Sequence, residues 1–227
     1  MKKKLNPGTM LSPIPAVMVS CAKAGEKPNI ITIAWTGIVN SEPPMTYISV
    51  RKERYSYDII KDSGEFVINL TTEDIAFAAD WCGVKSGRDV DKFEAQSLTA
   101  DASEVVACPS IKESPVNIEC QVRDVIELGS HDMFLAEIVS VSVDEKLIDE
   151  KGAVHLEKAH LTAYSHGHYY PLQKEELGRF GYSVMKPKTR RRYEAEKRAR
   201  SRQQSRSIAK SKSKSNSKGG AGGRERR

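Results

Sequence analysis

VNIECQVRDVIELGSHDMFLAEIVSVSVDEKLI, residues 116–148, holds two β-rich runs on either side of GSH. Val and Ile recur in both runs, and apolar residues alternate with polar ones over much of each. A connector this short joins antiparallel strands. The spacing therefore predicts a long hairpin of 116–128 and 132–148 with Gly129 in the turn. Working outward, IPAVMVSC (14–21) and EFVINL (65–70) read as strands. IITIAWTGIV (30–39) is apolar on both faces and reads as one buried strand. SEPP breaks it, and MTYISV (45–50) alternates into the next. YSYDIIKDSG predicts a short helix ending at Gly64. TTEDIAFAADWCG predicts a helix capped by Thr72 with acids in its first turn. VKSGRDVDKFEAQ reads as a polar loop entering a helical turn, and HLTAYSHGHYYPL (160–172) as a last strand. Many short strands, few helices and no βαβ rhythm predict a mainly β (α+β) chain. Its architecture is a closed or nearly closed antiparallel barrel with helices at the margins.

Charge divides the 227 residues in two. From Lys186 onward there are 17 Lys and Arg against 3 Glu; before it, 19 against 27 acids. The body is thus −8 and the tail +14, and the overall +6 describes neither. An acidic body argues against a broad nucleic-acid surface on the folded part. The tail is Lys, Arg, Ser, Gln and Gly, too poor in apolar residues to offset ordering entropy, and is expected to be disordered. RRRYEAEKRARSRQQ within it is a candidate helix on an acidic partner. The expected division is a domain over 1–185 and a basic tail over 186–227, the latter a possible polyanion contact or a solubilising extension.

Cys21, Cys82, Cys108 and Cys120 show no metal-ligand spacing and suit free thiols in a reducing cytoplasm. The start MKKK…AVMVSCA resembles an export signal, but Asn6, Pro7, Gly8, Pro13 and Pro15 break its apolar stretch. A cytoplasmic protein with no membrane span is expected.

No HExxH, P-loop, GxGxxG or GxSxG occurs. HGH (166–168) puts two imidazoles on one face of a strand, as a partial metal site or as exposed histidines. His131, in the hairpin turn, either reaches over a site or is an ordinary loop histidine. SVRKERYSYDII (49–60) runs from a strand end into a helix, where free N–H groups and the helix dipole favour an anion. Ser49, Ser56, Arg51 and Arg54 there form either a phosphate pocket or a solvated charged edge. Ala34 beside Trp35 either lets a flat ring approach the backbone or belongs to a plain core.

These stretches, in order, resemble the flavin reductase-like family, the FMN-binding split barrel, and most closely its flavoredoxin-type members. PNIITIAWTGIVNSEPPMTYISVRKERYSYDIIKDSGEFVINL (28–70), DWCGVKSGRDVDKF (80–93) and GSHDMFLAEIV (129–139) carry the likeness, which spans roughly 8–170. The resemblance implies a six-stranded antiparallel split barrel with flanking helices, a homodimer, and non-covalent FMN. Asn29, Thr32, Ala34, Trp35 and Thr36 would then line the isoalloxazine and ribityl chain. Ser49, Val50, Arg51, Lys52 and Ser56 would hold ribityl and phosphate, with Arg54 and Tyr55 close by. Lys92 would approach the flavin, with Ser86, Gly87 and Arg88 shaping its loop. His131 would lie near the nicotinamide as the catalytic residue. The implied activity is hydride transfer from NAD(P)H to flavin, with electrons passed to an acceptor protein or free flavin. An electron carrier that does not use NAD(P)H directly is the alternative within the family. A polyanion-binding protein acting through its tail is the alternative outside it.

Overall fold

The computed structural model describes residues 1–172 and 176–198. Chain contacts divide the protein into two units, Met1–Lys174 and Glu175–Arg227.

The first unit is built on one sheet of seven strands: β1 (Val17–Cys21), β2 (Asn29–Ile33), β3 (Thr36–Ser41), β4 (Pro44–Val50), β5 (Glu65–Asn69), β8 (Val116–Glu127) and β9 (Asp132–Val143). Helix α1 (Tyr55–Ser63) precedes β5. Helices α2 (Ala76–Val84) and α3 (Lys92–Ala95) and the short pair β6 (Ala100–Asp101) and β7 (Ser110–Ile111) lie between β5 and β8. The spatial order is β2-β1-β5-β8-β9-β4-β3, and every pairing is antiparallel. The 116–143 hairpin forms as the alternation predicts, with Gly129 at φ 95° in its turn. DEKLI leaves the strand: the Asp144 carboxylate accepts from the Lys146 N–H at 3.0 Å and starts a 3-10 turn over Glu145–Leu147.

The expected single strand 30–39 is two strands. It bends at Ala34–Trp35, and the strands on either side of the bend end up at opposite ends of the sheet order. The Ser49 N–H donates to the Trp35 carbonyl at 3.0 Å, and β2 approaches β4 there. The sheet therefore curls until its two edges meet at the bend, giving a split barrel. Residues 30–33 are largely buried, whereas β3 is exposed from Ile38 onward.

Period-two alternation fills the barrel. Val17, Val19, Ile31, Ile33, Ile48, Val50, Phe66, Ile68, Phe134 and Ala136 point inward, and α1 plugs one end with Tyr57, Ile59 and Ile60. Met18 and Ile30 face outward onto Ala78, Ala79 and Cys82 of α2 and Phe93 of α3. Two-sided burial explains why β1 and β2 read as near-continuous apolar runs. Gly64 ends α1 at φ 70°, a left-handed conformation that costs glycine no Cβ clash.

Helix α2 begins later than expected. Its N-cap is Ile75, without a side-chain cap or a first-turn acid. Thr72 is instead bridged to Leu161, and the Glu73 N–H donates to the His160 carbonyl at 2.9 Å, so tertiary pairing holds 71–73 extended. Residues 160–172 form not one strand but a hairpin of β10 (Thr162–Ser165) and β11 (His168–Pro171). His166 at φ 48° and Gly167 at φ 84° make its turn, so HGH does not present two imidazoles on one strand face. Among the described residues no group of three or more His, Cys, Asp or Glu is placed to hold a metal. All four cysteines are free and buried.

In the second unit, 187–198 form helix α4, where the composition predicted no fixed structure. Arg192 and Glu196, four apart, pair at 2.8 Å, and the segment is rich in good helix formers. The rest of the basic stretch lies outside the described residues.

Glu119 of β8 is buried, and its carboxylate accepts from the N–H groups of Glu104, Val105 and Val106 at 2.9, 2.7 and 3.0 Å. Burial opposes its ionisation, but these donors more than offset that and hold the acid below its ordinary value. A depressed acid stabilises the fold above the ordinary carboxylate value, and the contribution is lost as pH falls through the folded one. Glu119→Gln should lower the unfolding free energy by about 2–4 kcal/mol at neutral pH. In urea titrations the gap to the wild type should shrink as the pH drops below the normal glutamate range.

Candidate functional site

Strand β4 ends at Val50, and the turn 51–54 enters α1 at Tyr55. This turn, the Ala34–Trp35 bend, the β8–β9 tip and the loop after α2 surround a groove of two lobes. The larger is about 470 Å³ and is lined by Asn29, Arg51, Arg54, Ser56, Arg88 and Lys92 among others. The smaller, about 160 Å³, is lined by Thr32, Ala34, Trp35, Ser49, Val50 and His131. Ile31, Arg51 and Arg54 line both, so the lobes adjoin.

Charge is concentrated in the larger lobe. Arg51, Arg54, Lys85, Arg88 and Lys92 face it against the single acid Glu53. In a body that is −8, this is a local reversal of sign, suited to a small anion. The guanidiniums are held in place. Arg54 donates to the Gly83 carbonyl at 3.2 Å, and Arg88 donates to the Glu53 carbonyl at 3.3 Å while lying over the Tyr55 ring at 5.3 Å. Arg51 pairs with Glu53 at 3.4 Å. Ser56 is buried and accepts from Asn29 Nδ2 at 2.8 Å.

Lys92 is 3% exposed, and its ammonium donates to the Ile30 and Cys82 carbonyls, both at 2.7 Å. An ammonium has three N–H bonds, so one remains for a ligand in the lobe it lines. Burial pushes its pKa down to about 8, aided by Arg54. Burial likewise pushes the Cys82 thiol up to about 11, so it carries no thiolate at neutral pH. Gly87 closes the lobe. A Cβ there would stand 2.6 Å from Asn29 Cγ and 2.8 Å from Tyr55 Cδ1, closer than atoms pack.

In the smaller lobe, Trp35 is 40% exposed because the bend turns it out of the barrel, which settles it as no core tryptophan. The His131 ring packs on it with centroids 4.5 Å apart and planes tilted by 38°. Ser130 Oγ lies 3.0 Å from His131 Nδ1. Partial burial, then Arg51 and Arg54, hold the imidazole below its ordinary value, so it is neutral at pH 7.

Two of the residues expected at the site stand outside both lobes. Thr36 spends its hydroxyl on the Tyr47 carbonyl at 2.5 Å, across the β3–β4 ladder. Lys52 points the other way from Arg51 and pairs with Glu127 at 3.2 Å and Asp132 at 3.4 Å. Asp132 is fully buried and also accepts from the Tyr57 hydroxyl at 2.6 Å. Burial raises its acid, but the bonds from Tyr57 and Lys52 outweigh that and keep it ionised. Lys52 thus ties both ends of the turn carrying His131 to the turn carrying Arg51 and Arg54. Ile31, Glu53, Cys82 and Lys85 line the groove without having been expected there. No local spacing marks them, since three elements bring them together.

The model of the flavin reductase like domain matches residues 10–173. The chain belongs to the flavin reductase-like family. As a family member it is a flavin-related oxidoreductase, and its split barrel is of the flavoredoxin type. It is similar to the flavoredoxin of Desulfovibrio vulgaris (Miyazaki F) at 32% identity and a TM-score of 0.76, over 82% of this chain and 100% of that one. A flavoredoxin from Methanosarcina acetivorans matches at 26% identity and a TM-score of 0.74, with the same coverage. An uncharacterized protein of Archaeoglobus fulgidus is 35% identical over 126 residues, 56% of this chain and 71% of that protein. The groove of this flavin reductase-like chain suits a flavin phosphate on two counts: its excess of cations and the spare N–H of Lys92.

The Trp35–His131 contact gives a direct reading of the site. In a Trp81→Phe background, Trp35 emission should fall as the pH drops below the ordinary imidazole value of 6.5 and the ring becomes a cation. His131→Asn should remove that titration while leaving the neutral-pH emission in place.

Proposed function

We propose that this chain binds FMN non-covalently in the two-lobed groove and transfers electrons from NAD(P)H through it to an acceptor protein or free flavin. The observation that carries this reading is a cationic lobe that shares Ile31, Arg51 and Arg54 with a neighbouring lobe flanked by Trp35 and His131. The flavin, when bound, supplies a ring that accepts hydride from a nicotinamide and passes its electrons on.

The chain's residues position and shield. Arg54 and Arg88, already fixed by carbonyls and Tyr55, offer charge-assisted donors to the phosphate at little ordering cost, and Arg51 adds a third from its pairing with Glu53. Lys92 adds a buried N–H in a low-dielectric setting, where it is worth more than in water. Asn29, Thr32, Ala34, Ser49 and Val50 line the path for the rest of the cofactor, with Ala34 leaving room for a flat ring. Neutral His131, steadied by Ser130 and Trp35, can hydrogen-bond an amide such as the nicotinamide carboxamide without opposing the positive charge that the ring gains as hydride leaves it. The buried thiols stay protonated, so the reading needs no protein nucleophile.

The reading includes a homodimer and a reducing, cytoplasmic setting. Edge strand β3 exposes Ile38 and Val39, a surface that a second copy would cover. Four free cysteines suit a compartment where thiols stay reduced.

The purified protein should be yellow, and adding NADH or NADPH under argon should bleach it. A colourless protein that takes up no FMN overturns the reading. Flavin that binds but keeps its colour leaves an electron carrier. Lys92→Met should weaken FMN binding about tenfold or more. Wild-type affinity should also fall as pH rises past about 8, where Lys92 loses its proton, and the Met variant should lack that fall.

A further inference from the structure

Every described residue that lines the groove precedes Lys186, and the family match ends before it. We propose that residues 186–227 are a nucleic-acid-binding segment that holds this oxidoreductase domain on the phosphodiester backbone of RNA or DNA.

Charge is the first argument. A net +14 over these residues is carried by a chain whose other part is −8. A polymeric phosphate is attracted by the tail's net charge and repelled by that of the body. Helix α4 shows how the charge is displayed. It carries Lys188, Arg190, Arg191, Arg192, Lys197 and Arg198 against Glu194 and Glu196. One side is tied up within the unit: the Tyr193 hydroxyl donates to Glu176 at 2.7 Å, and Arg179 lies over the Tyr193 ring at 5.1 Å. Lys197 donates to the Glu176 carbonyl at 2.5 Å. Lys188, Arg191 and Arg198 follow a three-and-seven spacing, which places them together on a different side, and all three are exposed. That stripe is about 15 Å long, enough to follow several phosphates.

Composition then decides between partners. An anionic membrane surface is held by basic segments that also bury Trp, Phe or Leu, and 186–227 contain none of these. A helix docking in a protein groove needs apolar anchors at helical spacing, and α4 offers only Tyr193, which is already engaged. The remaining sequence interleaves Lys and Arg with Ser, Gln, Asn and Gly. Ser, Gln and Asn are further hydrogen-bond donors for phosphate oxygens, and the low-complexity sequence carries no base-reading motif. Binding is therefore expected to be independent of sequence.

The test uses the full chain, a variant ending at Leu172, and a full-length variant with Lys188, Arg190, Arg191 and Arg198 changed to Gln. Fluorescence anisotropy would follow labelled single-stranded RNA and duplex DNA of equal length. Raising salt from about 50 to about 200 mM should weaken full-chain binding to duplex DNA about a thousandfold or more. The shortened variant should lose binding, and the Gln variant should bind more weakly with a shallower salt slope. Preference for RNA or DNA would identify the source of the phosphate. Undiminished binding by the shortened variant would overturn the proposal. So would salt-insensitive binding, or tighter binding of phosphatidylserine vesicles or polyglutamate at the same salt. Flavin content read in the same samples separates this result from the flavin reading, because the shortened variant keeps the whole groove.

Discussion

Ala34 and Trp35 separate strands β2 and β3, yet these strands occupy opposite ends of the sheet order. Two residues span only a few ångströms, so the sheet must curl until its edges meet. Everything at the site follows from that constraint. The bend lifts Trp35 out of the barrel and leaves Ala34 as a gap beside it. It also brings the β4 end and the hairpin tip alongside β2, so that Arg51, His131 and Ile31 line one groove. A straight strand through 30–39 would have buried Trp35 and left the β4 end far from β2.

The groove's electrostatics run against those of its surroundings. An acidic body presents a cationic lobe because the turn 51–54 and the loop after α2 contribute their bases to the same space. Those bases are not free to collapse on one another. Backbone carbonyls and the Tyr55 ring hold Arg54 and Arg88, and two carbonyls hold the Lys92 ammonium in the core. Such a lobe meets its ligand already formed, which lowers the entropy that binding must overcome. Lys52 does comparable work one residue away, by tying the hairpin tip to the β4–α1 turn rather than by touching the groove.

The hairpin at 116–143 was legible because alternation and a short turn specify the same register. Helix α1 was legible because Gly64 and the preceding pattern agree. The bend at 34–35 was not. A continuous apolar run looks the same whether it is one strand or two, and only the closure of the sheet breaks it. Thr72 reads as a cap, but pairing with 160–162 takes its backbone first. Most candidate site residues were legible through their family motifs. Thr36 and Lys52 line neither lobe because motif membership does not fix which way a side chain points, and their bonds to Tyr47 and Asp132 do.

By itself, the sequence determined the antiparallel class, the helix after β4 and the reversal of charge at Lys186. These are local quantities: periodicity, turn chemistry and composition act over a few residues. Only the tertiary structure decided that 30–39 joins two sheet edges and that Lys92 stands buried with one donor to spare. It also decided that Glu53 and Lys85 share a lobe with Arg51, and that Lys52 braces the site instead of lining it. Each of these depends on residues far apart in the chain meeting in space, and contacts of that kind are set by sheet closure, not by neighbours in sequence.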